Sequence, residues 1–142
     1  MIKKNDSFSV YEIMDWYDGA LCGLGKFIKT PQHYFFQFAA YDATINMKIF
    51  ILTTVDRIWE NEFMSVLNEA DQVQKSRIIK QKVNNLLENY TQNSILIKAN
   101  NVEDKNYELR ELKIDNLKFY GNSNSIFNQS RKKIEKWFAF FN

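Results

Sequence analysis

Two carboxylates, Asp15 and Asp18, flank the dipeptide Trp16-Tyr17, and Glu12 lies three residues upstream. Carboxyl pairs beside aromatic rings serve glycoside hydrolysis, one group as acid and the other as base or nucleophile across the scissile bond. Spacing along a loop, however, fixes no distance between two carboxyl groups. The same residues therefore carry two readings. In one, Asp15 and Asp18 are the working groups of a small-molecule-binding or hydrolytic α+β domain. In the other they shape turns, while Trp16 and Tyr17 close a core or offer a contact surface.

Other catalytic constellations are sparse. Cys22 is the single cysteine and His33 the single histidine, so nucleophilic catalysis would have to pair these two. Placed on a hairpin that turns at Thr30-Pro31, they fall at opposite ends of the ladder. That separation exceeds hydrogen-bond reach, which leaves Cys22 as a packed thiol and His33 as a surface residue beside a turn. One Cys and one His cannot furnish a zinc site, and no Asp/Asn/Gly calcium loop occurs. Gly23-Leu24-Gly25-Lys26 is only a fragment of a phosphate loop and lies inside a strand pattern. No catalytic residue, metal ligand or cofactor is expected from these residues.

Nucleic-acid binding needs clustered cations. The candidates are Lys75, Arg77, Lys80 and Lys82, and a second group at Arg131, Lys132, Lys133 and Lys136. Both are diluted by Asn, Gln and Glu, and the net charge of the 142-residue chain is only +2. A solvated helix face explains them better. Acidic character is concentrated instead near the start: Asp6, Glu12, Asp15 and Asp18 meet no basic residue between Asn5 and Gly25.

The elements that must hold these groups follow from periodicity. Asp18-Gly19 and Thr30-Pro31 mark turns. Three β-rich runs lie beyond them, Ala20–Ile28, Gln32–Tyr41 and Ile45–Val55. In the first, Leu21, Gly23, Gly25 and Phe27 share a face; in the second, Tyr34, Phe36 and Phe38 do. An odd register sum across the hairpin lays those rings over the glycines, which leave room for them. In the third run Ile45, Met47, Ile49 and Ile51 line one side, with Asn46 and Lys48 opposite. The expectation is an antiparallel sheet with one apolar face.

Trp59, Phe63, Val66, Leu67 and Ala70 then repeat at helical spacing behind Thr54 or Asp56 as cap. A second stripe, Ile79, Val83, Leu86, Leu87 and Tyr90, follows Asp71 as its cap; the two stripes fit two helices or one long kinked helix, with any break at Ala70-Asp71. Ser94–Ala99 reads as a buried strand, and Tyr107–Tyr120 as one or two more, with Asn116 near the break. A last amphipathic helix starts near Ser123 or Ser125 and carries Phe127, Ile134, Trp137, Phe138 and Phe141 on one face. The order β-β-β-α-α-β-β-α predicts an α+β fold, an antiparallel β-meander with helices packed on one face, in a single domain over 1–142. No apolar run approaches the ~20 residues of a membrane span, and no secretory signal is read at the start. A lone cysteine suits a reducing compartment, so a cytoplasmic location is expected.

The segment Asp15-Trp16-Tyr17-Asp18-Gly19-Ala20-Leu21-Cys22-Gly23 resembles small single-domain bacterial proteins with a Tyr-Asp-Gly-Pro-Leu-x-Gly opening before an aromatic hairpin. Ala20 stands where that pattern has proline, and the likeness runs from Asp15 to about Leu52. Some of these proteins resemble immunity proteins of toxin systems. The resemblance implies a scaffold that binds a protein partner, such as a cognate toxin, without catalysis. Tyr and Trp beside charge suit such an interface, because a large ring with a polar edge gains from desolvation. The expected partner-binding patch is Asp15, Trp16, Tyr17 and Asp18.

Overall fold

Tyr34, Phe36 and Phe38 alternate with Phe35, Gln37 and Ala39, so apolar residues stand on both faces of one strand. A strand of that kind must be covered twice, and the chain does so by curling its sheet into a barrel and laying helices on the outside. The computed structural model describes residues 7–16, 20–44, 46–103, 110–117 and 124–139. Within them the chain runs β1 (Ser7–Trp16), β2 (Ala20–Phe27), β3 (His33–Asp42), β4 (Met47–Val55), α1 (Arg57–Val66) and α2 (Gln72–Glu88). It continues through β5 (Ser94–Glu103), β6 (Arg110–Leu117) and α3 (Asn124–Ala139). Every strand pairs antiparallel with its neighbour in sequence, and β6 returns to β1 to close the barrel. The fold is α+β, a meander with its helices against one face of the sheet.

The expected sheet with a single apolar face is corrected by this closure. Phe8, Val10, Phe27, Tyr34, Phe36, Phe50, Leu52, Ile97 and Ala99 form one buried cluster inside the barrel. Leu24, Phe35, Ile51, Val55 and Leu96 face outward and pack with α1, α2 and α3 residues such as Trp59, Phe63, Ile79, Leu86, Phe127 and Ile134. Ile49 and Ile51 thus do share a side, but Phe50 and Leu52 make the opposite side equally apolar. Each fully buried Phe contributes roughly 1.5–3 kcal/mol by leaving water. The lumen rings add edge-to-face contacts, with Phe8 5.1 Å from Phe27 at 70° and Phe27 5.8 Å from Tyr34 at 88°.

The hairpin register sum is odd, as the pattern predicts: Gly23 faces Phe36 and Gly25 faces Tyr34. The helix starts are also where the sequence puts them. Asp56 caps α1 by accepting from the Trp59 amide at 2.7 Å, and Asp71 caps α2 through the amides of Val73 and Gln74. Two helices, broken near Ala70-Asp71, follow from that second cap. Two local expectations fail. β1 is a strand where none was expected, because its alternation at Phe8 and Val10 is broken by bulges. Asn46 leaves the third run with φ of 56°, a left-handed turn conformation that asparagine tolerates. Among the described residues no helix is long and apolar enough to cross a membrane.

Candidate functional site

Asp15 and Trp16 are the end of β1, where Asp15 pairs with Cys22 and Trp16 with Ala20. Tyr17 and Asp18 lie outside the described residues, in the connection from β1 to β2. β1 reaches this end through three register shifts, after Val10, Ile13 and Asp15. Bulges of this kind bend a strand and re-aim its side chains. Gly23 permits the closest approach: a Cβ there would stand 2.0 Å from the Glu12 carbonyl oxygen. The sheet partners of β1 also change along its length. Ser7 pairs with β6, Phe8 through Val10 with both β2 and β6, and Glu12 to Trp16 with β2.

A second polar group forms on the outer face of the barrel and was not foreseen. Tyr11, passed over by the ladder between Val10 and Glu12, places its hydroxyl 2.6 Å from His33 Nδ1 and 2.5 Å from Glu60 Oε2. His33 Nδ1 is 2.9 Å from the same carboxylate oxygen. The carboxylate can only accept, so the tyrosine hydroxyl and the imidazole N–H both donate to it. Burial raises the Tyr11 hydroxyl above its ordinary value, and the hydrogen bond and charge of Glu60 raise it further. Tyr11 thus stays a donor across the neutral range. His33 is not the surface residue expected, for its side chain is only 17% exposed. The group joins β1, β3 and the first turn of α1 across 22 and 27 residues of sequence. Sequence offered only a lone histidine near a turn; nothing local ties it to Tyr11 or Glu60.

Cys22 and His33 do fall far apart, as expected. Cys22 pairs with Gln37 and His33 with Lys26, four rungs along the β2–β3 ladder, and Cys22 is buried. Among the described residues no group of three or more His, Cys, Asp or Glu could hold a metal ion. The basic clusters are partly consumed by the fold. Lys82 is buried and its ammonium bonds Glu62; Arg131 donates to the Leu87 carbonyl at 3.2 Å, and Lys133 to that of Ala39 at 3.3 Å. These cations tie helices to each other and to the sheet, while Lys80, Lys132 and Lys136 remain exposed.

In comparison with known proteins, no family model, no curated protein and no solved structure matches this chain.

Proposed function

We propose that this protein is a non-catalytic binding module of immunity or antitoxin type, acting in the cytoplasm by direct attachment to a protein partner such as a cognate toxin. The observation that carries the reading is that Asp15 and Trp16 end a strand bent by three register shifts, where β1 comes closest to β2 at Gly23. A bulged strand end that carries acidic and aromatic residues suits recognition of another chain. The resemblance of residues 15–23 supports the same reading. The acidic run from Asp6 to Asp18 selects a partner face rich in Lys or Arg, since opposite charges steer encounter and reject wrong partners. A net charge of +2 argues against mimicry of a nucleic acid. The rest of the molecule, two apolar layers around a closed sheet, supplies the rigidity that an interface of this kind uses.

The test is affinity capture of the tagged full chain from its own cells at moderate salt, read by native mass spectrometry. One stoichiometric protein partner is expected. The double variant Trp16→Ala, Asp18→Lys should lose it while unfolding at the same temperature as the parent. Capture that survives the double variant, or a chain that emerges unaccompanied, would overturn the assignment.

A further inference from the structure

A concavity of about 350 Å³ opens where the end of β4, the first turn of α1, the last turns of α2 and the start of β5 meet. Its size falls within the range of small-molecule sites. Val55, Trp59 and Leu86 give it an apolar floor, and Ile58, 70% exposed, gives it an apolar rim. Three of the polar side chains that line it have no hydrogen-bond partner among the described residues: the Thr54 hydroxyl and the side-chain amides of Asn85 and Asn93. Asp56 uses one carboxylate oxygen to cap α1, and the other has no hydrogen-bond partner among the described residues.

The charge of the site narrows its ligand. Lys82 also lines the concavity, but its ammonium is taken by Glu62. The Asp56 carboxylate then stands without a cation of its own, so anionic ligands such as phosphates and carboxylates meet repulsion. Amide and hydroxyl groups each donate and accept. What satisfies two amides, a hydroxyl and a carboxylate oxygen together, above an apolar floor, is a compact molecule with hydroxyls round its edge and C–H groups on its face.

We propose that this concavity is a binding site for a small, uncharged, hydroxyl-rich ligand, a monosaccharide or cyclic polyol. Asn85 and Asn93 hold adjacent hydroxyls, Asp56 accepts from one of them, and the Ile58 and Trp59 side covers the C–H face. The site is separate from the proposed protein-binding strand and stands or falls without it.

The experiment is titration of the ¹⁵N-labelled full chain with D-glucose, D-galactose and myo-inositol, following the side-chain amides of Asn85 and Asn93 and the Trp59 indole. At least one probe should give saturable shifts at these three residues. Asn85→Ala and Asn93→Ala, both at exposed positions with no bond to lose, should each weaken that binding about two- to tenfold, the worth of one neutral hydrogen bond. The proposal is overturned by an absence of saturable shifts with all three probes. It is overturned equally if both alanine variants bind as the parent does, or if glucose 6-phosphate binds there more tightly than glucose.

Discussion

Gly25 lies directly beneath the ring of Phe8: a Cβ on Gly25 would stand 2.5 Å from Phe8 Cε1 and 2.6 Å from the Ser9 carbonyl oxygen. The ring and the missing side chain are two halves of one packing solution inside the barrel. Phe8 fills the lumen at full burial because Gly25, its diagonal neighbour on β2, carries no side chain, and it touches Phe27, Tyr34 and Phe36 edge-on. Gly25→Ala should therefore destabilise the fold by about 3 kcal/mol, the upper part of the range for overpacking. Gly23→Ala should cost more, because its nearest obstacle is the Glu12 backbone oxygen and backbone yields less than a ring. Urea denaturation of the two variants checks the order; a neutral Gly25→Ala would show that Phe8 can leave the lumen freely.

A buried polar chain fastens α3 to the sheet. Gln37 is completely buried on the helix-facing side of β3; its amide donates to the Ser130 carbonyl at 3.1 Å and its oxygen accepts from the Tyr90 hydroxyl. Replacing Gln37 by Leu strands both partners, and should cost about 2–3 kcal/mol. Ser130 provides the contrast. Its hydroxyl is buried with no partner among the described residues, so Ser130→Ala should be neutral or stabilising by up to about 1 kcal/mol. Thermal or denaturant unfolding of both variants would distinguish a satisfied polar atom from an orphaned one four residues from the buried Ile134 of the same helix.

What the sequence made legible was whatever depends on near neighbours. Periodicity placed the helices, Asp71 marked the break between α1 and α2, and the glycine face found its rings through simple parity. Closure of the sheet was not legible, because it depends on β6 meeting β1 from about a hundred residues away. That same closure explains why Phe50 and Leu52 are buried opposite Ile49 and Ile51. β1 escaped notice for a different reason. Its bulges break the two-residue period after Val10, and the acidic and aromatic residues there read as a loop. Of the expected contact patch, Asp15 and Trp16 are strand residues, while Tyr17 and Asp18 lie outside the described residues.

The Tyr11, His33 and Glu60 group should act as a clasp between the barrel and α1. Glu60 is the shared acceptor, so its loss removes two bonds at once and leaves only the contact between the Tyr11 hydroxyl and His33 Nδ1, whereas loss of either donor leaves the other bond to Glu60 in place. Glu60→Ala should thus destabilise more than His33→Ala or Tyr11→Phe alone. A double-mutant cycle between positions 33 and 60 should give a coupling of about 0.5–1.5 kcal/mol, the range of a single hydrogen bond between partly buried groups. A coupling indistinguishable from zero would mean that α1 is held by its other contacts, such as Trp59, Phe63, Val66 and the Glu62–Lys82 pair.

Stability should fall in alkali, and the tyrosines set where. Burial raises the hydroxyls of Tyr11, Tyr34 and Tyr90 above the usual value of 10.0, so each holds its proton in the folded chain after the unfolded chain has released it. Below pH 10 both states are protonated and the stabilisation is complete. As pH rises past about 10 the unfolded state binds fewer protons than the folded state, and the free energy of unfolding declines. For Tyr90, buried and bonded to Gln37, the limiting slope is about 1.4 kcal/mol per pH unit. Denaturation midpoints measured from pH 8 to 12, a window of about two units on either side of the ordinary tyrosine value, should be level at first and then drop. Tyr90→Phe should begin lower, having lost its bond to Gln37, yet fall less steeply above pH 10. Parallel curves for parent and variant would show that Tyr90 ionises as readily in the folded protein as in the unfolded one.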